Sequence, residues 1–104
     1  MTDAAIWYVY IVQTSRQLLY TGIATDVERR FQQHRDAYEG RPNARGAKYF
    51  RGHEPVAVVY RESCPSRSVA SQREHAIKRM SRSQKLALIG IKLSADQVDN
   101  PHRS

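Results

Sequence analysis

A single cysteine, Cys64, is all the thiol this 104-residue chain carries, which excludes an intrachain disulfide and a cysteine-rich zinc site. A bland buried or half-buried thiol is expected there. Long apolar runs are missing too: the longest, residues 6–12, is seven residues, far short of the ~20 that span a bilayer. Acidic Asp3 stands where a secretory leader carries basic residues. These absences predict a soluble, cytoplasmic protein with no membrane partner. Acid is scarce as well, with 10 Asp+Glu against 17 Lys+Arg and a formal net charge of +7. Thirteen of the 17 cations are arginine, the side chain whose planar fork matches phosphate. An anionic partner is expected, nucleic acid first. The length suffices for one small domain with a core of two or three layers, and excludes a multidomain enzyme. No internal repeat or low-complexity segment is visible.

Residues 6–12, Ile-Trp-Tyr-Val-Tyr-Ile-Val, are all β-branched or aromatic, the pattern of a strand covered on both faces and therefore central in its sheet. After a polar break at Thr14-Ser15-Arg16-Gln17, Leu18-Leu19-Tyr20-Thr21 predicts a second strand, joined as a hairpin and closed by Gly22. Alternation puts Tyr8, Tyr10 and Val12 on one face of the first strand, and Leu18, Tyr20 and Gly22 on one face of the second. The two sets can share a face once the register is known.

Thr25-Asp26-Val27-Glu28 fits a capping box, with the Thr25 hydroxyl on the Glu28 amide and the Glu28 carboxylate reaching back. In the helix that follows, Val27, Phe31, His34 and Tyr38 form one stripe with Arg30 at its edge. Gly40-Arg41-Pro42 ends it. Residues 41–54 read as a basic loop carrying Arg41, Arg45, Lys48, Arg51 and His53 against Glu54 alone. Pro55 opens a third strand through Tyr60, and Glu62-Ser63-Cys64-Pro65 breaks it. A helix from Ser66 or Ser68 carries Val69, Ala70, Ala76, Ile77 and Met80 on one face. Arg73 falls near the middle of that face, where a structural ion pair or buried stem is expected, and Glu74 at its margin. A short helix over residues 83–89 buries Leu86 and Ile89 and stops at Gly90. A domain over residues 1–90 and a polar tail over 91–104 follow.

Taken together, these residues resemble the GIY-YIG nuclease domain over about residues 7–89. The first signature triplet falls on Tyr8-Val9-Tyr10, with Tyr8 for the glycine; the second falls on Tyr20-Thr21-Gly22, with Thr21 for the isoleucine. Arg30 and His34 in the first helix and Glu74 in a later one follow in the order of that family. Leu19-Tyr20-Thr21-Gly22-Ile23, Arg45-Gly46-Ala47-Lys48-Tyr49 and Arg73-Glu74-His75-Ala76-Ile77-Lys78 further resemble its small stand-alone bacterial members, the YhbQ-like group.

The resemblance implies phosphodiester hydrolysis at a single divalent metal, Mg²⁺ or Mn²⁺, held by Glu74 together with waters and substrate phosphate. It implies that Tyr10 is the general base or positions the attacking water, with Tyr20 hydrogen-bonded nearby and His34 assisting proton movement. Arg30 would fork onto the non-bridging phosphate oxygens. A phenolate base at neutral pH requires neighbouring positive charge, such as Arg30, Lys48 or a metal, and His34 is a rival for the role. Lys48 lies where relatives place a further basic or proton-transferring residue. Each residue also has a structural reading: packed tyrosines with satisfied hydroxyls, a core histidine, a Glu74–Lys78 surface pair, a solvated Arg30. Their joint occurrence in family order favours the set.

The fold expected is mixed α/β, a three-stranded antiparallel sheet with the first strand central, flanked by helices. The function expected is a metal-dependent DNA endonuclease of the DNA-repair kind with little sequence preference, RNA being a further substrate class. Arg41, Arg45, Lys48 and Arg51 would track the phosphate backbone. A protein partner or DNA shape would supply specificity. One alternative is a non-catalytic nucleic-acid-binding module that stacks bases on Tyr49 and Phe50. Another is a protein-interaction domain whose basic face meets an acidic partner. His53, His75 and His102 have no metal-ligand spacing.

Overall fold

The computed structural model describes residues 5–96. Strands β1 (Trp7–Thr14), β2 (Leu19–Ala24) and β3 (Pro55–Cys64) form one antiparallel sheet in the order β2-β1-β3. The unbroken apolar segment is thus the central strand, as its composition predicts. Buried Thr14 closes the hairpin, its Oγ1 accepting from the Leu18 amide at 3.1 Å. The register sets Tyr10 opposite Gly22 and Val12 opposite Tyr20. Tyr8, Tyr10 and Tyr20 therefore share a face.

That face packs against helix α1 (Val27–Glu39) and a 3-10 turn at Lys48–Arg51, in a core of Tyr10, Val12, Ala24, Val27, Ala37 and Phe50. The other face sends Val9 and Ile11 into Tyr60, Cys64, Ala70, Ile77 and Ile89, under helices α2 (Arg67–Lys78) and α3 (Arg82–Asp96). Cys64 is a buried free thiol.

Several local expectations need correcting. The α1 N-cap is Asp26, whose carboxylate accepts from the Arg29 amide at 3.0 Å. Glu28 pairs with Arg61 at 2.8 Å and the cap is Asp26, so the box on Thr25 does not form. The buried side of α1 is Val27, His34 and Ala37, with Phe31 half-buried, and Tyr38 lies exposed. The helix ends at Gly40, whose φ of 72° is the left-handed cap that glycine adopts without strain.

The basic loop is not structureless: Lys48–Arg51 winds once to drive Phe50 into the core. Strand β3 continues through Arg61, Glu62 and Ser63, because β1 offers partners along that length and both charges find side-chain partners beside the sheet. Helix α2 is capped by Ser66, and it buries Ala70 and Ile77 while Val69 and Ala76 stay exposed. Arg73 does make an ion pair, with Glu62 at 2.9 Å; Glu62 also accepts from the Tyr60 hydroxyl at 2.6 Å. Gly90 does not stop α3, which runs through it to Asp96; Ile89 is buried and Leu86 exposed. The remainder of the expected polar tail, residues 97–104, lies outside the described residues.

Candidate active site

The α1-facing core contains groups that an ordinary core avoids. Tyr10 and His34 are 1% and 0% exposed, and His34 Nε2 lies 2.8 Å from Tyr10 Oη. The strand pairing that sets Tyr10 opposite Gly22 makes this contact: a Cβ built on Gly22 would stand 2.7 Å from Tyr10 Oη and 2.9 Å from its Cζ. Only a residue without a side chain lets the Tyr10 ring lie across β2 toward His34.

His34 is held on every side. Its Nδ1 accepts the Ala47 amide proton at 3.2 Å, and the Phe50 ring lies 4.3 Å away, centroid to centroid, with Tyr20 at 5.5 Å. Burial, and then the Arg30 charge, pulls its pKa down to about 4, so it is neutral at pH 7. Both ring nitrogens are engaged, so the expected rival base has no free lone pair to offer a water.

Arg30 stands one turn before His34 on α1. Its Nη1 donates to Gln33 Oε1 and to the Arg45 carbonyl, both at 2.8 Å. These bonds brace the guanidinium through Nη1. Tyr20 packs edge-on to Phe50 with centroids 4.8 Å apart. Glu74 arrives on α2; its side chain is 17% exposed and pairs with Lys78 at 3.0 Å.

The electrostatics of Tyr10 register this assembly. Burial, then the neighbouring Tyr20, pushes its hydroxyl well above the ordinary phenol range, and the Glu74 charge adds to the rise. Arg30 opposes them through its charge and its hydrogen-bonding reach. Tyr10 contacts His34 directly, and Tyr20, Arg30 and Glu74 are near enough to act on its hydroxyl electrostatically. At rest Tyr10 is a neutral phenol.

Among the described residues no three His, Cys, Asp or Glu side chains gather into a metal cage. One hard carboxylate is nevertheless a donor set that suits Mg²⁺ or Mn²⁺, ions that retain waters and share substrate phosphate oxygens.

Of the four cations expected to track phosphate, Arg41 is tied to Glu39 at 2.9 Å and to Asp36 at 3.5 Å. Arg45, Lys48 and Arg51 are exposed, without an ion pair among the described residues. The stacking platform expected of Tyr49 and Phe50 does not exist: Phe50 is 0% exposed, and half-buried Tyr49 already stacks on His53 at 4.3 Å. Sequence reasoning passed over Gln33, and it read Gly46 and Ala47 only as part of a stretch shared with the YhbQ-like group; the three act through a carboxamide, a missing Cβ and a backbone amide.

Residues 6–87 match the family described as the GIY-YIG catalytic domain. The chain belongs to the GIY-YIG family. It is 47% identical over 88 residues to a UPF0213 protein of Desulfotalea psychrophila, covering 85% of this chain and 74% of that one. A UPF0213 protein of Natronomonas pharaonis is 48% identical over 86 residues, covering 83% and 93%. The UPF0213 protein YhbQ of Escherichia coli is 37% identical over 83 residues, covering 80% and 76%. The solution structure of the UPF0213 protein BH0048 from Bacillus halodurans has the same fold, with a TM-score of 0.51 and 27% identity over 95% of this chain and 98% of that one. The GIY-YIG domain implies a nuclease-type function and a nucleic-acid substrate, and nucleases of this family are typically divalent-metal dependent. No helix among the described residues is long and apolar enough to cross a membrane.

Proposed function

We propose that this protein is a metal-dependent endonuclease that hydrolyses phosphodiester bonds in DNA with little sequence preference, in the cytoplasm, as in DNA repair. The observation that carries the reading is the buried 2.8 Å contact between Tyr10 Oη and a neutral His34, beside an Arg30 that is braced at 2.8 Å by Gln33 and by the Arg45 carbonyl. A purely structural tyrosine needs one hydrogen-bond partner; it has no use for opposed charges around it.

Hydrolysis joins a water oxygen to phosphorus, breaks the bond to the leaving oxygen, and moves one proton from the water to that oxygen's side. Tyr10 holds the attacking water through its hydroxyl. Its raised pKa argues against a standing phenolate, so positive charge brought to the site controls how far the phenol ionises. Arg30 offers its guanidinium to the non-bridging oxygens, where charge builds in the transition state. Tyr20 packs against His34 and Phe50 and so supports the imidazole that contacts Tyr10. Glu74 would hold the Mg²⁺ or Mn²⁺ ion, exchanging its Lys78 partner for it. Such an ion, when bound, lowers the pKa of a bound water and offsets phosphate charge. Arg45, Lys48 and Arg51 follow the backbone on the loop side; Arg41, occupied by two carboxylates, contributes least.

The test is cleavage of labelled single-stranded, duplex and branched DNA with and without Mg²⁺ or Mn²⁺, for wild type, Glu74→Ala and Tyr10→Phe. Metal-dependent cutting that falls by about 10²-fold or more in each folded variant is expected. No cutting by wild type, with salt-sensitive binding retained in both variants, would replace the enzyme with a nucleic-acid-binding module.

A further inference from the structure

Gly46 is the point at which the basic loop touches α1. A Cβ built there would fall on the Gln33 carbonyl oxygen, 2.7 Å from His34 Cα and 2.9 Å from Ala37 Cβ. Glycine alone allows this approach, and its two chain neighbours use it. The Arg45 carbonyl accepts from Arg30 Nη1 at 2.8 Å, and the Ala47 amide donates to His34 Nδ1 at 3.2 Å. One short stretch of backbone therefore grips both of the candidate site residues on α1.

The second contact determines where the histidine proton sits. A backbone amide can only donate, so the Nδ1 it faces must carry a lone pair, and the proton of a neutral imidazole is then on Nε2. That nitrogen is the one 2.8 Å from Tyr10 Oη. His34 is then the donor and Tyr10 the acceptor, and the Tyr10 proton turns away from His34.

We propose that the backbone of Arg45-Gly46-Ala47 is a positioning device that locks His34 in its Nε2–H tautomer, making it a fixed donor to Tyr10 and closing it as a proton acceptor. The role implied by resemblance, in which His34 assists proton movement, is replaced by another. His34 supports negative charge on the Tyr10 oxygen while the proton leaves on the substrate side. The catalytic part of this inference rests on the endonuclease reading of the same site; the tautomer does not.

The decisive variant is Ala47→Pro. The φ of Ala47 is −62°, the value a proline ring imposes, so the substitution asks little of the backbone at that residue; it removes the N–H, and the ring Cδ, standing where the proton pointed at His34 Nδ1, separates the two groups. Ala47→Ser retains the amide and serves as the conservative control. The readout is the pair of imidazole ¹⁵N shifts of His34 in the metal-free, DNA-free protein, which distinguish the protonated from the bare nitrogen.

Wild type and Ala47→Ser are expected to show Nε2–H, and Ala47→Pro a mixture with Nδ1–H. Cleavage by Ala47→Pro is expected to fall at least about tenfold in kcat, with KM for DNA little changed, as elsewhere when a catalytic histidine adopts the wrong tautomer. An Nδ1–H wild type, or an Ala47→Pro protein with an unchanged tautomer, would overturn the proposal. So would a changed tautomer with unchanged kcat. A wild type that shows Nε2–H but cuts nothing would refute the endonuclease reading and leave the lock standing; the wild-type spectrum tests the lock even where a variant fails to fold.

Discussion

Replacing Gly22 by alanine tests the packing on which the site depends. The Gly22 backbone lies in β2 without a positive φ, so alanine meets no backbone strain. By itself the exchange would relieve a glycine's penalty in a strand interior by about 0.5–1 kcal/mol. The new methyl, however, would stand 2.7 Å from Tyr10 Oη, 2.9 Å from Tyr10 Cζ and 3.1 Å from Tyr20 Cε2. Tyr10 is enclosed, so its ring must shift and take the bond to His34 with it. Overpacking of this kind costs about 1–3 kcal/mol, and a weakened hydrogen bond about 1 more. The sum is a net loss of about 1–3 kcal/mol, or roughly 5–15 °C in Tm for a domain of this size. Urea unfolding of Gly22→Ala should show a lower midpoint at unchanged slope. Gly52→Ala, where nothing stands within 4 Å of the added Cβ, should show little change. In a Tyr10→Phe background, which removes the nearest atom, the Gly22→Ala cost should shrink by about 0.5–1 kcal/mol. A Gly22→Ala protein as stable as wild type, or a cost indifferent to the Tyr10 hydroxyl, would refute the packing of Tyr10 over Gly22.

Thr21 is buried with no hydrogen-bond partner for its Oγ1. Thr21→Val should therefore raise stability by about 1 kcal/mol in the same urea assay, and a loss would mean that the hydroxyl is satisfied. His34, pulled down to about 4 by burial and by Arg30, titrates below its unfolded value of ~6.5. Between those values the unfolded chain binds the proton that the folded chain refuses, so stability falls as pH drops from about 6.5 to about 4, by roughly 3 kcal/mol. Unfolding midpoints at pH 7 and 4.5 should differ markedly less in His34→Gln; equal pH dependence in the two proteins would contradict a neutral buried His34.

What was legible in the sequence was whatever local chemistry decides. Seven consecutive β-branched or aromatic residues mark a strand with two covered faces wherever they occur, and Gly40 before Pro42 ends a helix on its own terms. The ion pair of Arg73 could be foreseen because a charge at the centre of an apolar face must find a partner. The failures share a cause, which is competition from a partner distant in the chain. Glu28 pairs with Arg61 of β3 instead of reaching back to Thr25. The polar end of β3 is held because β1 is long enough to pair with it. Phe50 sits in a stretch of cations and still enters the core, because the space beside His34 and Tyr20 is aromatic. The candidate site residues were named from their types and order, but their connections were not legible: a carbonyl, an amide and a missing Cβ leave no mark on residue type.

The two faces of the sheet do different work, and the division explains why a domain this small tolerates so polar a core. Val9, Ile11, Ala70, Ile77 and Ile89 make the α2 and α3 side largely aliphatic, without a histidine among its buried residues. The charges on that side, Arg73 and Glu62, are only partly buried and are paired with each other at 2.9 Å. The α1 side carries Tyr8, Tyr10, Tyr20, Tyr49, Phe50 and His34, groups whose burial requires partners, and the network supplies them through ring edges, a tyrosine oxygen and one loop amide. Since β1 belongs to both cores, the aliphatic face anchors the strand from which Tyr10 projects. Substitutions at Ile77 should then lower stability and spare the tautomer of His34, whereas Ala47→Pro should change that tautomer. That asymmetry separates a protein whose polar core is arranged for chemistry from one whose polar core is merely endured.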